Sequence, residues 1–263
     1  MCAACLHSLR PLTLSLCALC GEALPQTSAG ETDSRVDNRC RLCQLAEPPF
    51  VRAVAFGSYD EKLRDLVHLL KFDQVRPAAK VLGGLLAASI AKLAPSLPSG
   101  SIAVVPVPLH FRKQAQRGFN QAELIARCGL KQLSRSEQSA QFELMPHALI
   151  RARETGSQIG LTRHQRRENL RGAFKVGDPT QVRDRNILLV DDVYTTGATA
   201  SECARVLLRA GAARVWVATV CRTIKLYNWP GVQPDVSGNQ SEQVLSQSEG
   251  REANGHLNVA MQA

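Results

Sequence analysis

One run constrains this chain more than any other: Ile187-Leu-Leu-Val-Asp-Asp-Val-Tyr-Thr-Thr-Gly-Ala-Thr199. Asn186 to Val190 is an apolar stretch of strand length, and it delivers two adjacent carboxylates, Asp191 and Asp192, at its carboxyl end. A Thr/Gly turn follows. Ala200 to Arg209 then has helical character and closes at Gly211, and Arg214 to Val220 is a second apolar strand. Strand, helix and strand at this spacing predict a βαβ unit and a parallel sheet. Such sheets take ligands at the carboxyl ends of their strands. Across Val193, Tyr194, Thr195, Thr196, Gly197, Ala198 and Thr199, backbone N–H groups and hydroxyls can face a phosphate. The following helix N-terminus adds a partial positive charge. Gly197 lets the backbone approach closely. Ionised carboxylates accept hydrogen bonds from vicinal hydroxyls. The ligand that reconciles two acids with an anion site is a sugar phosphate, its phosphate on the loop and its ribose hydroxyls on Asp191 and Asp192. Taken singly, Asp192 reads as the start of a turn and Thr199 as a helix cap; the whole string in register favours the phosphate site.

The rest of the chain supplies a domain around that run. Val51 to Tyr59 predicts a strand. Glu61 to Phe72 has Leu63, Leu66, Val67 and Leu70 at helical spacing. Val75 to Ala94 predicts a second helix, stopped by Pro95 and Pro98, and Ile102 to Val107 a short strand. Asn120 to Arg127 and Leu161 to Asn169 read as helical, whereas Arg135 to His147 has no assignable pattern. After about Leu226 the composition turns to Gln, Ser, Gly, Asn and Glu, and a disordered tail is expected. The expected organisation is a cysteine-rich module over 1–47, an α/β domain over 48–225 and the tail over 226–263.

Six of the nine cysteines fall in Cys-x-x-Cys pairs: Cys2/Cys5, Cys17/Cys20 and Cys40/Cys43. The second and third pairs have the spacing of a four-thiolate zinc ribbon. Soft thiolates suit zinc, and a closed tetrahedral site replaces a core that so short a segment cannot build. A thioredoxin-like redox reading lacks the surrounding βαβ pattern. Cys2 and Cys5 are left over: either the chain starts earlier, or the pair is orphaned and binds zinc weakly or borrows ligands from a neighbouring molecule. Thr27 to Asn38 predicts a polar loop between the knuckles. Cys128, Cys203 and Cys221 read as core residues.

The run at 187–199 resembles the phosphoribosyl pyrophosphate (PRPP) binding motif of type I phosphoribosyltransferases. From Cys2 to about Arg222 the chain resembles the ComF family, whose members join an N-terminal zinc module, commonly a double zinc ribbon, to such a domain. The resemblance rests on His68-Leu-Leu-Lys-Phe72, Val105-Pro-Val-Pro108, Arg117-Gly-Phe-Asn-Gln121, Arg151-x-Arg-x-Thr155 with Ser157-Gln158, and Arg167-x-Asn-Leu-x-Gly-Ala-Phe174. It implies an α/β type I phosphoribosyltransferase fold, a mainly parallel sheet flanked by helices. It also implies PRPP bound with Mg²⁺, and phosphoribosyl transfer to an acceptor the sequence does not name. Arg112, Lys113 and Arg117 would form the pyrophosphate loop, and Arg151, Arg153, Thr155 and Gln158 a flexible loop closing over it. For Arg163, Arg166 and Arg167 the alternative to that loop is a solvated helix face. Lys71 either reaches the site or lies exposed on an amphipathic helix. The family further implies a part in natural transformation, handling single-stranded DNA with the uptake machinery.

Charge bears on that last point. The chain carries 32 Lys+Arg against 23 Asp+Glu, a net charge of +9. Between Val105 and Arg185 there are 15 basic and 7 acidic residues, so this stretch holds almost all of the excess. Such concentration suits a polyanion such as single-stranded nucleic acid. Aromatic residues make up only 5% of the chain, which predicts little base stacking. The most apolar stretch, Ala78 to Ala94, is interrupted by Lys80, Gly83, Gly84 and Lys92 and falls short of a membrane span. No secretory leader is legible, so a cytoplasmic protein is expected, with peripheral membrane association open. Nothing in the sequence fixes an oligomeric state.

Overall fold

Strand β6 (Asn186–Tyr194) is the axis of the domain, and a computed structural model describes the chain around it over residues 6–25, 38–133, 142–156 and 160–224. Its first half, Ile187-Leu-Leu-Val190, is fully buried, as a parallel strand covered on both faces must be. Ile187 and Leu189 face one core, Leu188 and Val190 the other. Four more strands complete the sheet: β1 (Ala53–Ser58), β2 (Ile102–Pro106), β3 (Phe142–Leu144) and β7 (Arg214–Arg222). Their order is β1-β7-β6-β2-β3, and every adjacent pair is parallel.

Helices cover both faces. On one side lie α2 (Glu61–Lys71), α3 (Ala78–Ala91) and α5 (Gln121–Leu133). They pack Leu66, Leu70, Leu82, Leu86 and Ile125 onto Val104, Leu188 and Trp216. Here α3 and α5 cross at glycine: a Cβ on Gly83 would lie 2.5 Å from the Cβ of Cys128 and 2.8 Å from the backbone nitrogen of Gly129. On the other side α7 (Ala198–Arg209) packs Cys203, Ala204 and Leu207 onto Val105, Leu189 and Val217. The same core takes Phe174 and Leu170, from β5 (Phe174–Val176) and α6 (Arg163–Leu170). Ahead of the sheet come a buried cysteine cluster and the short helix α1 (Arg41–Leu45). This layered architecture is the one the resemblance implies.

Several boundaries differ from expectation. β6 and β7 run on to Tyr194 and Arg222, so the two aspartates belong to the strand and do not follow it. The helix expected from Val75 begins at Ala78, because Pro77 occupies its N-cap. A short helix, α4 (Phe111–Arg117), replaces the expected basic loop and ends at Gly118 in the left-handed region, φ 75°. Part of the unassigned 135–147 segment is the edge strand β3, with Phe142 opposite Ile102. Strand β4 (Leu149–Arg151) pairs antiparallel with β5, which pins together the two ends of the 152–173 excursion. The expected loop from Thr27 to Asn38, apart from Asn38 itself, and the expected tail lie outside the described residues. Among the described residues no helix is long and apolar enough to cross a membrane.

Candidate functional site

At the C-terminal end of β6 the chain turns through Thr195, Thr196 and Gly197 into α7. Gly197 is the N-cap of that helix, with φ 75° and ψ 7°. A side chain there would be strained by that φ, and its Cβ would run into the Tyr194 hydroxyl. The turn presents the backbone amides that begin α7. Thr196 Oγ1 is buried and finds no hydrogen-bond partner among the described residues.

The two aspartates occupy different environments. Asp192 is 3% exposed; its Oδ1 lies 2.9 Å from Lys71 Nζ, while its Oδ2 is buried without a partner among the described residues. The Asp191 carboxylate accepts the Asp192 backbone N–H at 2.9 Å. Burial, followed by the neighbouring Asp192 charge, pushes the Asp191 carboxyl up to about 7. Burial disfavours the Lys71 ammonium, but the charges of Asp192 and then Asp191 override it and leave its pKa above the ordinary lysine value. Lys71 stands in the last turn of α2, whose apolar stripe buries Leu63, Leu66, Val67 and Leu70 and so fixes where the lysine emerges. The exposed-lysine alternative is not what the structure shows.

The other sequence-selected cations divide. Arg117 loses basicity to burial and is partly restored by the Asp192 charge; it donates to Gln121 Oε1 at 2.7 Å. Arg151 likewise loses basicity to burial and feels Asp191, and it donates to the buried Thr155 hydroxyl. These two, with Lys71, face the aspartates electrostatically. Arg112 and Lys113 are exposed on α4, Arg112 paired with Glu154 at 2.9 Å. Arg153 is engaged elsewhere, donating to the carbonyls of Asn169 and Arg171 at the end of α6, each at 2.8 Å. Gln158 lies outside the described residues.

Two arginines take roles that the sequence did not assign: Arg166 was weighed only as a solvated helix face within the loop segment, and Arg222 only marked where the resemblance ends. Arg166 on α6 donates to Thr195 Oγ1 at 3.3 Å, which ties the 152–173 excursion to the turn after β6. A helix rich in arginine looks solvated in one dimension; the Thr162–Gln165 capping box that orients α6 is its only legible hint. Arg222, at the end of β7, is 2% exposed. It donates to the Cys20 carbonyl at 2.6 Å and to Glu22 Oε2 at 2.7 Å, and its guanidinium sits 5.1 Å from the Tyr194 ring centre.

Cys17, Cys20, Cys40 and Cys43 converge, with all four sulfurs within 4.8 Å of one another and Cys20 and Cys40 3.6 Å apart. Tight turns build each knuckle: Gly21 N–H bonds the Cys17 carbonyl at 2.9 Å, and Cys43 N–H bonds the Cys40 carbonyl at 2.9 Å. A Zn–S bond of about 2.3 Å places tetrahedral sulfurs roughly 3.8 Å apart, so the set can hold such a metal. Without a cation four thiolates could not share this space; burial and the neighbouring thiolates push Cys43 up to about 12. Cys2 and Cys5 lie outside the described residues. Cys203 and Cys221 are fully buried, as expected, and Cys128 is partly buried against α3.

No family model matches the chain. It is 34% identical over 228 residues to the DNA utilization protein YhgH of Escherichia coli (strain K12), covering 81% of this chain and 94% of that one. It is 33% identical over 181 residues to competence protein F of Haemophilus influenzae, covering 68% and 76%, and 25% identical over 219 residues to competence protein ComFC of Bacillus subtilis, covering 81% and 80%. Among solved structures it is similar to a hypoxanthine-guanine phosphoribosyltransferase from Schistosoma mansoni, at 16% identity and a TM-score of 0.33 over 61% of this chain and 63% of that one. The allosteric regulatory enzyme of purine biosynthesis is similar at 21% identity and a TM-score of 0.33, over 55% and 26%.

Proposed function

The chain belongs to the ComF family, and on that premise we propose that it binds PRPP with Mg²⁺ and transfers the phosphoribosyl group to an acceptor, in a role tied to DNA uptake or use. The observation that carries the reading is a pair of buried polar atoms, Asp192 Oδ2 near the end of β6 and Thr196 Oγ1 in the turn after it, that find no hydrogen-bond partner among the described residues. Buried polar atoms are nearly always paired, and an orphan pair at a sheet's carboxyl edge suits a ligand that brings hydroxyls and phosphate oxygens.

In this reading the amides of Thr195 to Thr199 hold the 5-phosphate. Asp191 and Asp192 accept the ribose hydroxyls, which requires Lys71 to release Asp192 and turn toward the phosphates. The carboxylates fit a hard cation that keeps most of its waters; when bound with the donor, Mg²⁺ offsets pyrophosphate charge. Arg117, Arg151 and Arg166 stabilise the leaving group as charge builds on it. The acceptor's lone pair forms the new bond to C1 with inversion, the C1–O bond breaks, and pyrophosphate departs with that electron pair while the acceptor's proton is lost. The 152–173 excursion, hinged at the β4–β5 pair, excludes water from the cationic C1 centre. The cysteine cluster holds a structural Zn²⁺.

A second reading keeps the PRPP site as a sensor within a DNA-handling protein; the basic excess between Val105 and Arg185 favours it. Calorimetry with PRPP and Mg²⁺, alongside a pyrophosphate-release assay, separates the two. Saturable heat lost in Asp191→Asn/Asp192→Asn supports the site. Release across candidate acceptors supports transfer, binding without release leaves the sensor, and no heat at millimolar donor overturns both.

A further inference from the structure

Of the run His68-Leu-Leu-Lys-Phe72, the reaction described above uses only Lys71. His68 stands one helical turn before it on α2, so the two side chains leave the same face of the helix. The His68 ring is half-buried, with its centre 5.0 Å from that of Phe72, and its Nε2 lies 3.0 Å from the Tyr59 hydroxyl. Tyr59 directly follows β1, and its backbone N–H bonds the Arg222 carbonyl at 2.7 Å. Strand register carries this across the sheet: Ser58 is opposite Arg222, and Arg222 is opposite Tyr194. Tyr59 therefore lies at the same carboxyl edge as the turn after β6.

Tyr59 is the member that meets both sides. Its hydroxyl contacts His68, and its phenol feels the site: burial raises its pKa, the Lys71 ammonium opposes this, and Cys221 and Asp192 add to it. His68 has a different set of charged neighbours. Burial, then Lys71 and Arg64, lower its pKa against the opposing Asp65 and Asp73, so the ring is neutral near pH 7 and able to take a proton. With the ring neutral and its proton on Nδ1, the Tyr59 hydroxyl can donate to Nε2.

A pair that only stapled α2 to the end of β1 would need no basic group. The proposed reaction does need one, because the acceptor's proton must go somewhere. Asp191 and Asp192 hold ribose hydroxyls in that reaction, Lys71 is already an ammonium, and Arg117, Arg151 and Arg166 are already guanidiniums. We propose that Tyr59 and His68 form the proton relay that takes it. As the acceptor's lone pair closes on C1, its N–H or O–H proton passes to Tyr59 Oη, and the Tyr59 proton passes to His68 Nε2. The electron pair of the broken N–H or O–H bond stays on the acceptor atom, pyrophosphate leaves with the C1–O pair, and the imidazolium returns a proton to solvent after product leaves. The acceptor class follows: a neutral nucleophile that sheds a proton, not a carboxylate or thiolate, which brings none. This relay rests on the transfer half of the proposed function.

Pyrophosphate release at saturating PRPP and Mg²⁺ tests it with two nucleophiles: methanol, which must lose a proton, and azide, which has none to lose. Tyr59→Phe and His68→Ala are each expected to lower kcat with methanol by about a hundredfold. Both should leave the azide rate, the PRPP heat and the melting temperature near wild type. Added imidazole should restore part of the methanol rate in His68→Ala, a rescue that a purely structural histidine would not give. The wild-type methanol rate should fall at a pH below the ordinary histidine value of about 6.5, and His68→Ala should lose that acid limb. Variants that react with methanol like wild type, or that lose the azide rate equally, would overturn the relay alone. PRPP heat without release to either nucleophile in the wild type would overturn transfer and the relay together, and no PRPP heat would overturn the donor site beneath both.

Discussion

Lys71 Nζ and Asp192 Oδ1 stand 2.9 Å apart, joining the last turn of α2 to the end of the central strand. Helix packing sets this pair, since the buried Leu66, Val67 and Leu70 leave Lys71 one direction in which to emerge. Removing the ammonium leaves a nearly buried carboxylate uncompensated. Breaking a fully buried pair costs roughly 3–5 kcal/mol. Lys71 is 21% exposed, so Lys71→Met is expected to lose about 2–3 kcal/mol in urea unfolding, and Lys71→Met/Asp192→Asn to recover most of it. A double variant as unstable as the single one would show that the pair does not stabilise the fold.

The layered fold and the turn after β6 were legible because each rests on local signals: the buried run from Ile187 to Val190, helical spacing in α2, and Gly197 before a helix. What escaped was set by distance in sequence. β3 is three residues long, and only its parallel pairing with Ile102 to Val104 makes it a strand. Arg166 and Arg222 look like ordinary surface arginines until folding places one on Thr195 and buries the other between Cys20 and Tyr194. Lys71 allowed two readings for the same reason, because its partner lies 121 positions along the chain.

The Asp191 carboxyl, pushed up to about 7 by burial and the Asp192 charge, is expected to make binding of the proposed donor and stability depend on pH in opposite senses. Its folded value lies above the ordinary unfolded one of about 3.9. The stability this contributes is therefore full below about pH 4 and lost as pH rises through about 7. A ligand that needs the ionised carboxylate binds more weakly below pH 7 and takes up that form with proton release. Donor affinity measured from pH 6 to 8 is expected to rise with pH, and Asp191→Asn to flatten both profiles.

Gly197 combines a left-handed backbone with a Cβ position already taken by the Tyr194 hydroxyl. Gly197→Ala is expected to cost roughly 1–2 kcal/mol for the backbone alone, with the clash in addition. The damage falls on the turn proposed to hold phosphate, so PRPP affinity should fall further than stability does. Paired thermal melts and calorimetry check this. Tyr194→Phe, which removes only the hydroxyl, should soften the clash in a Gly197→Ala background.

Arg222 links the cysteine cluster, the proposed zinc site, to the end of β6. Its guanidinium takes the Cys20 carbonyl and the Glu22 carboxylate on one side and covers Tyr194 on the other, with the turn beginning one residue later. A metal on Cys17, Cys20, Cys40 and Cys43 fixes the Cys20 carbonyl in place. Without it the knuckle loosens, and a cation that is 2% exposed loses the partners that justify its burial. Purified protein should release zinc to a strong chelator together with a fall in PRPP affinity, and Cys40→Ser should do the same without chelator. Arg222→Met should keep its zinc yet show the weakened donor binding, because the link is cut beyond the metal. Donor affinity unchanged in both Cys40→Ser and Arg222→Met would mean that the cluster stabilises only its own segment.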